Sequence, residues 1–150
     1  MKREAPEKVI VHTDGGSRGN PGPAAIGVVL STPEGAVIKE YGARLEGLLT
    51  NNEAEYEAVI FALKKLKALF GKEKTKGLSV EFRVDSELIA KQLQGLYKVE
   101  DERMQRLYMQ VHNLTFDFGK ITFTTVPREK NARADRLLNE ALDEEKGRLL

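Results

Sequence analysis

Thr50-Asn51-Asn52-Glu53-Ala54-Glu55-Tyr56-Glu57-Ala58-Val59-Ile60-Phe61-Ala62-Leu63 opens the best-marked element of the chain. Its first four residues fit a capping box, in which the Thr50 hydroxyl takes the Glu53 amide and Glu53 reaches back to the Thr50 amide. The helix begun there should run to about Phe70, where Gly71 stops it. One residue is oddly set. At about 100° per residue, Val59, Ala62, Leu66 and Leu69 all lie within about 40° of Glu55. An acid in line with the apolar stripe, in the first turn, either complements the helix dipole or needs a cation partner. Glu53 already serves the dipole from a better face.

Working outward, the residues before this helix read as three strands. Val9-Ile10-Val11-His12-Thr13-Asp14 is short and β-branched, and the cluster Gly15-Gly16-Ser17-Arg18-Gly19-Asn20-Pro21-Gly22-Pro23 then forces a loop. Ala25 to Ser31 and Val37 to Leu45 are two further strands around the turn at Pro33-Glu34-Gly35, so an antiparallel meander is expected. After the helix, Leu78, Val80, Phe82 and Val84 alternate with Ser79, Glu81, Arg83 and Asp85, the pattern of a half-buried strand. Ser86 to Gln94 is a short helix closed by Gly95. Met104, Leu107, Tyr108, Val111 and Leu114 carry helical spacing, Ile121 to Val126 is a last strand halted by Pro127, and a closing helix starts near Asn131. The order β-β-β-α-β-α-α-β-α implies one α/β domain over residues 1–150, with helices packed on a mixed sheet and right-handed crossovers.

Composition removes whole classes of chemistry. The chain has 150 residues, 41% of them hydrophobic, and Lys+Arg 24 against Asp+Glu 23 leaves a net charge of +1. With a mean hydropathy of −0.41, it is neither a polybasic arm nor an acidic disordered tail. No cysteine is present, which excludes disulfides, thiolate metal sites and cysteine nucleophiles. His12 and His112 are the only imidazoles, so a metal must be held by oxygen. The uninterrupted apolar run Ala58 to Leu63 is far below a membrane span, and Met1 to Lys8 is no signal peptide. A cytoplasmic setting and no membrane partner are expected. No phosphate-binding Gly-x-x-x-x-Gly-Lys-Ser/Thr loop exists, which argues against a nucleoside-triphosphate enzyme.

Four acids stand where elements of this order converge. Asp14 ends the first strand, Glu55 and Asp135 lie in first turns of helices, and Asp85 ends the strand before the Ser86 helix. Each has an ordinary explanation: a turn pair with Gly15, dipole complementation, or a helix cap. Taken together, four carboxylates without Cys or clustered His suit a hard divalent ion such as Mg²⁺.

The stretches Thr13-Asp14-Gly15-Gly16, Gly19-Asn20-Pro21-Gly22-Pro23, Thr50-Asn51-Asn52-Glu53-Ala54-Glu55, Val84-Asp85-Ser86 and Ala134-Asp135-Arg136-Leu137 resemble, in order, the motifs of type 1 ribonuclease H. The resemblance covers roughly residues 9–145 and implies the ribonuclease H-like fold. In that fold a five-stranded sheet, a three-strand meander plus two parallel strands, carries helices on both faces. It implies that Asp14, Glu55, Asp85 and Asp135 bind two Mg²⁺ ions, with Mn²⁺ as a substitute. The implied reaction is hydrolysis of the RNA strand of an RNA–DNA hybrid, leaving 5′-phosphate and 3′-hydroxyl ends. Asp14 would bridge both ions, Asp135 would hold the ion on the side of the attacking water, and Glu55 and Asp85 the ion near the leaving oxygen. Gly15, Asn20, Asn51 and Asn52 would meet the hybrid through its minor groove and sugars, and Thr50 a phosphate of the DNA strand. Thr50 is equally a helix cap, and the two asparagines equally turn residues. The implied partners are the hybrid and other RNA-containing duplexes, and the expected state is a monomer.

The chain departs from the family pattern at three points. Residues 125–131, Thr-Val-Pro-Arg-Glu-Lys-Asn, lack the loop His that many relatives carry before the last Asp, and a guanidinium at Arg128 cannot shuttle a proton at neutral pH. The segment Tyr97-Lys98-Val99-Glu100-Asp101-Glu102-Arg103 stands where some relatives have a basic, Trp-containing protrusion; Tyr97 and Lys98 are its candidates for the DNA strand, beside Arg128 as a further accessory residue. Glu87 occupies a position where relatives often have Gln. Residues 64–76 carry a net +5, read either as a solvated helix end or as a phosphate track. A non-catalytic hybrid- or duplex-binding module, or another nuclease of the superfamily, are the alternatives on the same fold.

Overall fold

Alternation of side chains builds the sheet, and its two faces bury different partners. The computed structural model describes the backbone of residues 6–149 and the side chains through residue 144. Strands β1 (Lys8–Ser17), β2 (Gly22–Ser31) and β3 (Val37–Leu49) form the expected antiparallel meander. Strands β4 (Ser79–Val84) and β5 (Lys120–Thr125) add in parallel on the other side of β1, giving the order β3-β2-β1-β4-β5. On one face Val9, Val11, Ile26, Val28, Leu30, Val80 and Phe82 pack under α1 (Asn51–Phe70), and α4 (Glu102–Thr115) packs on α1. On the other face α5 (Ala132–Leu149) lies over β2 and β3, where Leu138 and Leu142 meet Ala25. Helices thus cover both faces, as expected.

Helix α1 is buried on more than the stripe read from its sequence, because sheet and α4 enclose it from two sides. Tyr56, Ala58, Val59, Ile60, Ala62, Leu63, Leu66 and Phe70 are all buried along it. The capping box forms as expected, with Glu53 N donating to Thr50 Oγ1 at 3.1 Å and Thr50 N donating to Glu53 Oε1 at 2.9 Å. Gly71 ends the helix at φ 88°, a backbone state in which a Cβ would be strained. A single helical turn, α2 (Lys72–Thr75), follows and was not anticipated.

Several boundaries differ from the sequence reading, and β2 begins at Gly22 rather than Ala25, because Gly22 and Pro23 pair with Leu49 and Leu48. Gly15, Gly16 and Ser17 belong to β1 rather than to the loop, paired with Ile26, Ala25 and Ala24. The reason is a close approach: a Cβ on Gly15 would lie 2.1 Å from the Ala54 carbonyl oxygen of α1. The glycine is there so that strand and helix can touch, and the reversal itself falls on Arg18 to Pro21, closed by Arg18 N donating to Pro23 O of β2 at 2.9 Å. Strand β3 runs on to Leu49, and a 3₁₀ turn, Arg128–Asn131, precedes α5. Helix α3 (Glu87–Leu93) is capped by Ser86, whose Oγ accepts from Ile89 N at 3.2 Å, so the cap role considered for Asp85 falls to its neighbour.

Candidate metal centre

The register of the two central parallel strands builds the site. His12 of β1 stands opposite Arg83 of β4, and there the pairing ends. Asp14 and Asp85 each follow two residues later: Asp14 does not end β1, as read from sequence, but lies within it beyond its pairing with β4, and Asp85 stands just past the end of β4. Crevices beyond the carboxyl ends of parallel strands are where open α/β sheets place their ligands. The start of α1 closes this one from the side and brings in Glu55, since Gly15 lets the helix backbone press on β1. One carboxylate oxygen each from Asp14, Glu55 and Asp85 lies within 4.8 Å of the others. Asp135, in the first turn of α5, lines the same cleft of about 440 Å³. Helix α5 is held close there because Gly27, opposite Asp14 in the sheet, takes the Ala134 carbonyl against its Cα.

The electrostatics are those of buried acids crowded against one another. Asp14 and Glu55 are each 7% exposed. Burial, and then the Asp85 charge, push the Asp14 carboxyl up to about 7. Burial, then Asp14 and Asp85, raise Glu55 well above the usual carboxylate range, and the Gly15 amide only partly offsets this. Glu55 Oε2 is buried with no hydrogen-bond partner. Among the described residues no Lys or Arg forms an ion pair with these three acids. The cation that the buried position of Glu55 demands is therefore not a protein side chain. An all-oxygen donor set with an unsatisfied buried oxygen fits a hard divalent ion.

A buried amide holds Asp85 in place. Asn131, from the 3₁₀ turn, is buried and donates from Nδ2 to Thr13 O at 2.8 Å and to Asp85 Oδ2 at 3.3 Å. One amide thus ties the residue before Asp14 to Asp85, across the gap between β1 and β4. Nothing in the sequence marked it, because its two partners are 118 and 46 residues away. Arg18, also unmarked, lines the cleft and pairs with Asp143 of α5 at 2.6 Å.

The residues proposed from sequence to meet a duplex fall into two concavities that share the start of α1. Asn51 and Asn52 line both the acidic cleft and a neighbouring groove of about 590 Å³ that also takes in Asn20, Thr50 and Lys98. Asn20 Oδ1 accepts from Asn51 N at 3.0 Å, and Asn51 Oδ1 accepts from Ser17 N at 2.9 Å, so both side chains brace the Ser17–Asn20 reversal against the helix. Arg128 lines the acidic cleft. Tyr97 does not join either space: it lines a separate hollow with Tyr108 and Met109, and Lys91 stands 5.9 Å from its ring centre. His12, His112 and Glu87 line neither concavity. A larger hollow of about 700 Å³ between α4 and β5 has no carboxylate in its lining. Of the basic run at residues 64–76, Lys67 pairs with Asp117 at 2.7 Å and Lys65 stands over the Tyr41 and Phe61 rings.

A family model described as reverse transcriptase-like matches residues 12–141. Ribonuclease HI of Halobacterium salinarum is 43% identical over 137 residues, or 91% of this chain and 65% of the relative. The bifunctional protein Rv2228c of Mycobacterium tuberculosis is 38% identical over 136 residues, again 91% of this chain but 36% of that protein. The chain thus spans less than two thirds of the length of either relative. Among solved structures, LC11-RNase H1, isolated from compost by a metagenomic approach, has been determined with an RNA/DNA hybrid. That structure matches with a TM-score of 0.86 at 45% identity, covering 91% of this chain and 98% of that one.

Proposed function

The chain belongs to the type 1 ribonuclease H family, and from that premise we propose that it is an endonuclease cutting the RNA strand of RNA–DNA hybrids. The observation that carries the reading is the convergence of Asp14, Glu55 and Asp85, with Asp135 across the same cleft, around a buried carboxylate oxygen that no protein group satisfies. Asp14, Glu55, Asp85 and Asp135 would hold two Mg²⁺ ions, for which Mn²⁺ substitutes. Such ions, when bound, stabilise the charge on both the entering and departing oxygens of an in-line displacement at phosphorus. Products with 5′-phosphate and 3′-hydroxyl ends follow.

The chain's own residues then divide the work. Asp14 feels Asp85, Glu55 and Asp135 alike, so it would be the acid shared by the two ions. Asn131 keeps Asp85 aimed at Asp14. Arg128 lines the cleft and offers its guanidinium donors to a phosphate. The groove of Asn20, Thr50, Asn51, Asn52 and Lys98 opens from the cleft around the start of α1, which suits a duplex laid across it. Gly15 brings α1 against β1 and so fixes Glu55. Discrimination of RNA from DNA rests on the 2′-hydroxyl and on duplex shape, which side-chain amides in the minor groove can sense. Other RNA-containing duplexes are secondary substrates, and the working unit is a monomer in the cytoplasm.

A gel assay on a strand-labelled hybrid tests this, run with Mg²⁺, Mn²⁺, Ca²⁺ or EDTA beside RNA–RNA and DNA–DNA duplexes. Cuts confined to the RNA strand, dependent on Mg²⁺ or Mn²⁺ and leaving 5′-phosphates, are expected. Binding of the hybrid without cleavage in every metal would overturn the reading in favour of a non-catalytic module.

A further inference from the structure

The sheet face that carries α5 has a second concavity, of about 230 Å³, away from the four acids. Its walls come from β1, β2, the β2–β3 turn and the start of β3, β4, the 3₁₀ turn and the beginning of α5. Ile10, Val29 and Ala134 give it an apolar floor. The charged groups in its lining are of one sign: Arg83, Lys130 and Arg133, with His12 beside them and no carboxylate.

Grouped cations repel unless something answers them, and the answer provided by the protein is incomplete. Arg83 gives its Nε to Glu81 at 2.8 Å, but Glu81 is shared with Lys8 at 3.1 Å. Arg133 gives its Nε to Glu40 at 2.6 Å. Both carboxylates stand outside the lining, and each guanidinium retains its terminal N–H donors for a further acceptor. Lys130 has no ion-pair partner among the described residues. At about 30 Å³ for each water in the liquid, the hollow has room for a compact organic molecule rather than a lone ion.

We infer that this concavity binds a small organic anion, its apolar body on Ile10 and Val29 and its phosphate or carboxylate among Arg83, Lys130 and Arg133. The site adjoins the proposed catalytic machinery without sharing its acids. Asn131, which also lines it, is the residue whose amide holds Thr13 and Asp85.

Amide-resolved NMR titration of the full chain in EDTA tests the inference, with adenosine 5′-monophosphate as probe and adenosine and inorganic phosphate as controls. The monophosphate should shift the Ile10, Val29 and Lys130 amides saturably while leaving that of Glu55 unmoved. Adenosine and phosphate should each bind at least tenfold more weakly. Arg83→Gln and Lys130→Gln should each lower the affinity at least fivefold. Lys130 is exposed, so its replacement leaves the fold intact even if Arg83→Gln does not. Absence of saturable shifts at these amides, equal affinity for inorganic phosphate, or unchanged affinity in Lys130→Gln would overturn it.

Discussion

Replacing Asp14 with Asn should make the metal-free protein more stable, although it removes a central acid of the site. The carboxyl sits at about 7 against 3.8 for a free side chain, because burial and then Asp85 oppose its charge. An acid whose folded value is raised binds its proton more tightly when folded. The unfolded chain therefore sheds the proton first as pH rises, and stability falls between roughly pH 4 and pH 7 and stays low above that. The full difference corresponds to about 4 kcal/mol. Salt and water reach the open cleft, so about half of that is the realistic gain. For a domain of this size, such a gain raises the melting temperature by roughly 4–8 °C. Thermal unfolding followed by circular dichroism in EDTA, on both sides of neutrality, is the assay. Asp14→Asn should melt higher than the native chain on the alkaline side and lose most of that advantage in acid. Excess Mg²⁺ should raise the native chain and leave the variant almost unchanged. A variant that melts at or below the native chain on the alkaline side in EDTA would refute the reasoning, since it would mean the four acids are not in conflict.

Asp85→Asn should keep hybrid binding but lose on the order of 100-fold or more in cleavage, because metal charge stabilisation supplies several kcal/mol. Near-native cleavage by that variant in the strand-labelled assay would remove Asp85 from the centre. Asn131→Ala leaves the buried Thr13 carbonyl without its donor and frees Asp85, and should cost about 1–3 kcal/mol in urea unfolding. Calorimetric titration of the same variant should also find weaker Mn²⁺ binding; native affinity would make Asn131 a fold residue only. Gly15→Ala drives a methyl group to within 2.1 Å of a backbone oxygen that cannot turn aside, so a loss of about 3 kcal/mol or more is expected on denaturation. Unchanged stability would show that α1 can shift freely, and with it Glu55.

Much of this protein was determined by rules that act over a few residues. The capping box at Thr50–Glu53 needs only its own four residues, and it formed as read. Alternation in Leu78–Asp85 and helical spacing in Met104–Leu114 report burial through side-chain direction alone, so β4 and α4 were legible. The acids at strand ends and helix starts were visible because an ionisable group at the end of an apolar run is conspicuous wherever the run goes. Tertiary structure decided everything that depends on two distant segments touching. Gly15 looked like a turn residue because loops and close approaches both demand a residue without a Cβ, and only the presence of α1 separates the two. Asn131 was invisible because an Asn after a helix-breaking Pro has many local uses, and its partners come from β1 and from the end of β4. The same holds for the concavity of Arg83, Lys130 and Arg133, gathered from two segments about 50 residues apart in sequence but joined through the sheet. Sequence orders the carboxylates along the chain. Their mutual distance, and hence the charge conflict that calls for a metal, exists only once β1 and β4 part beyond His12 and Arg83 and α1 closes over the gap.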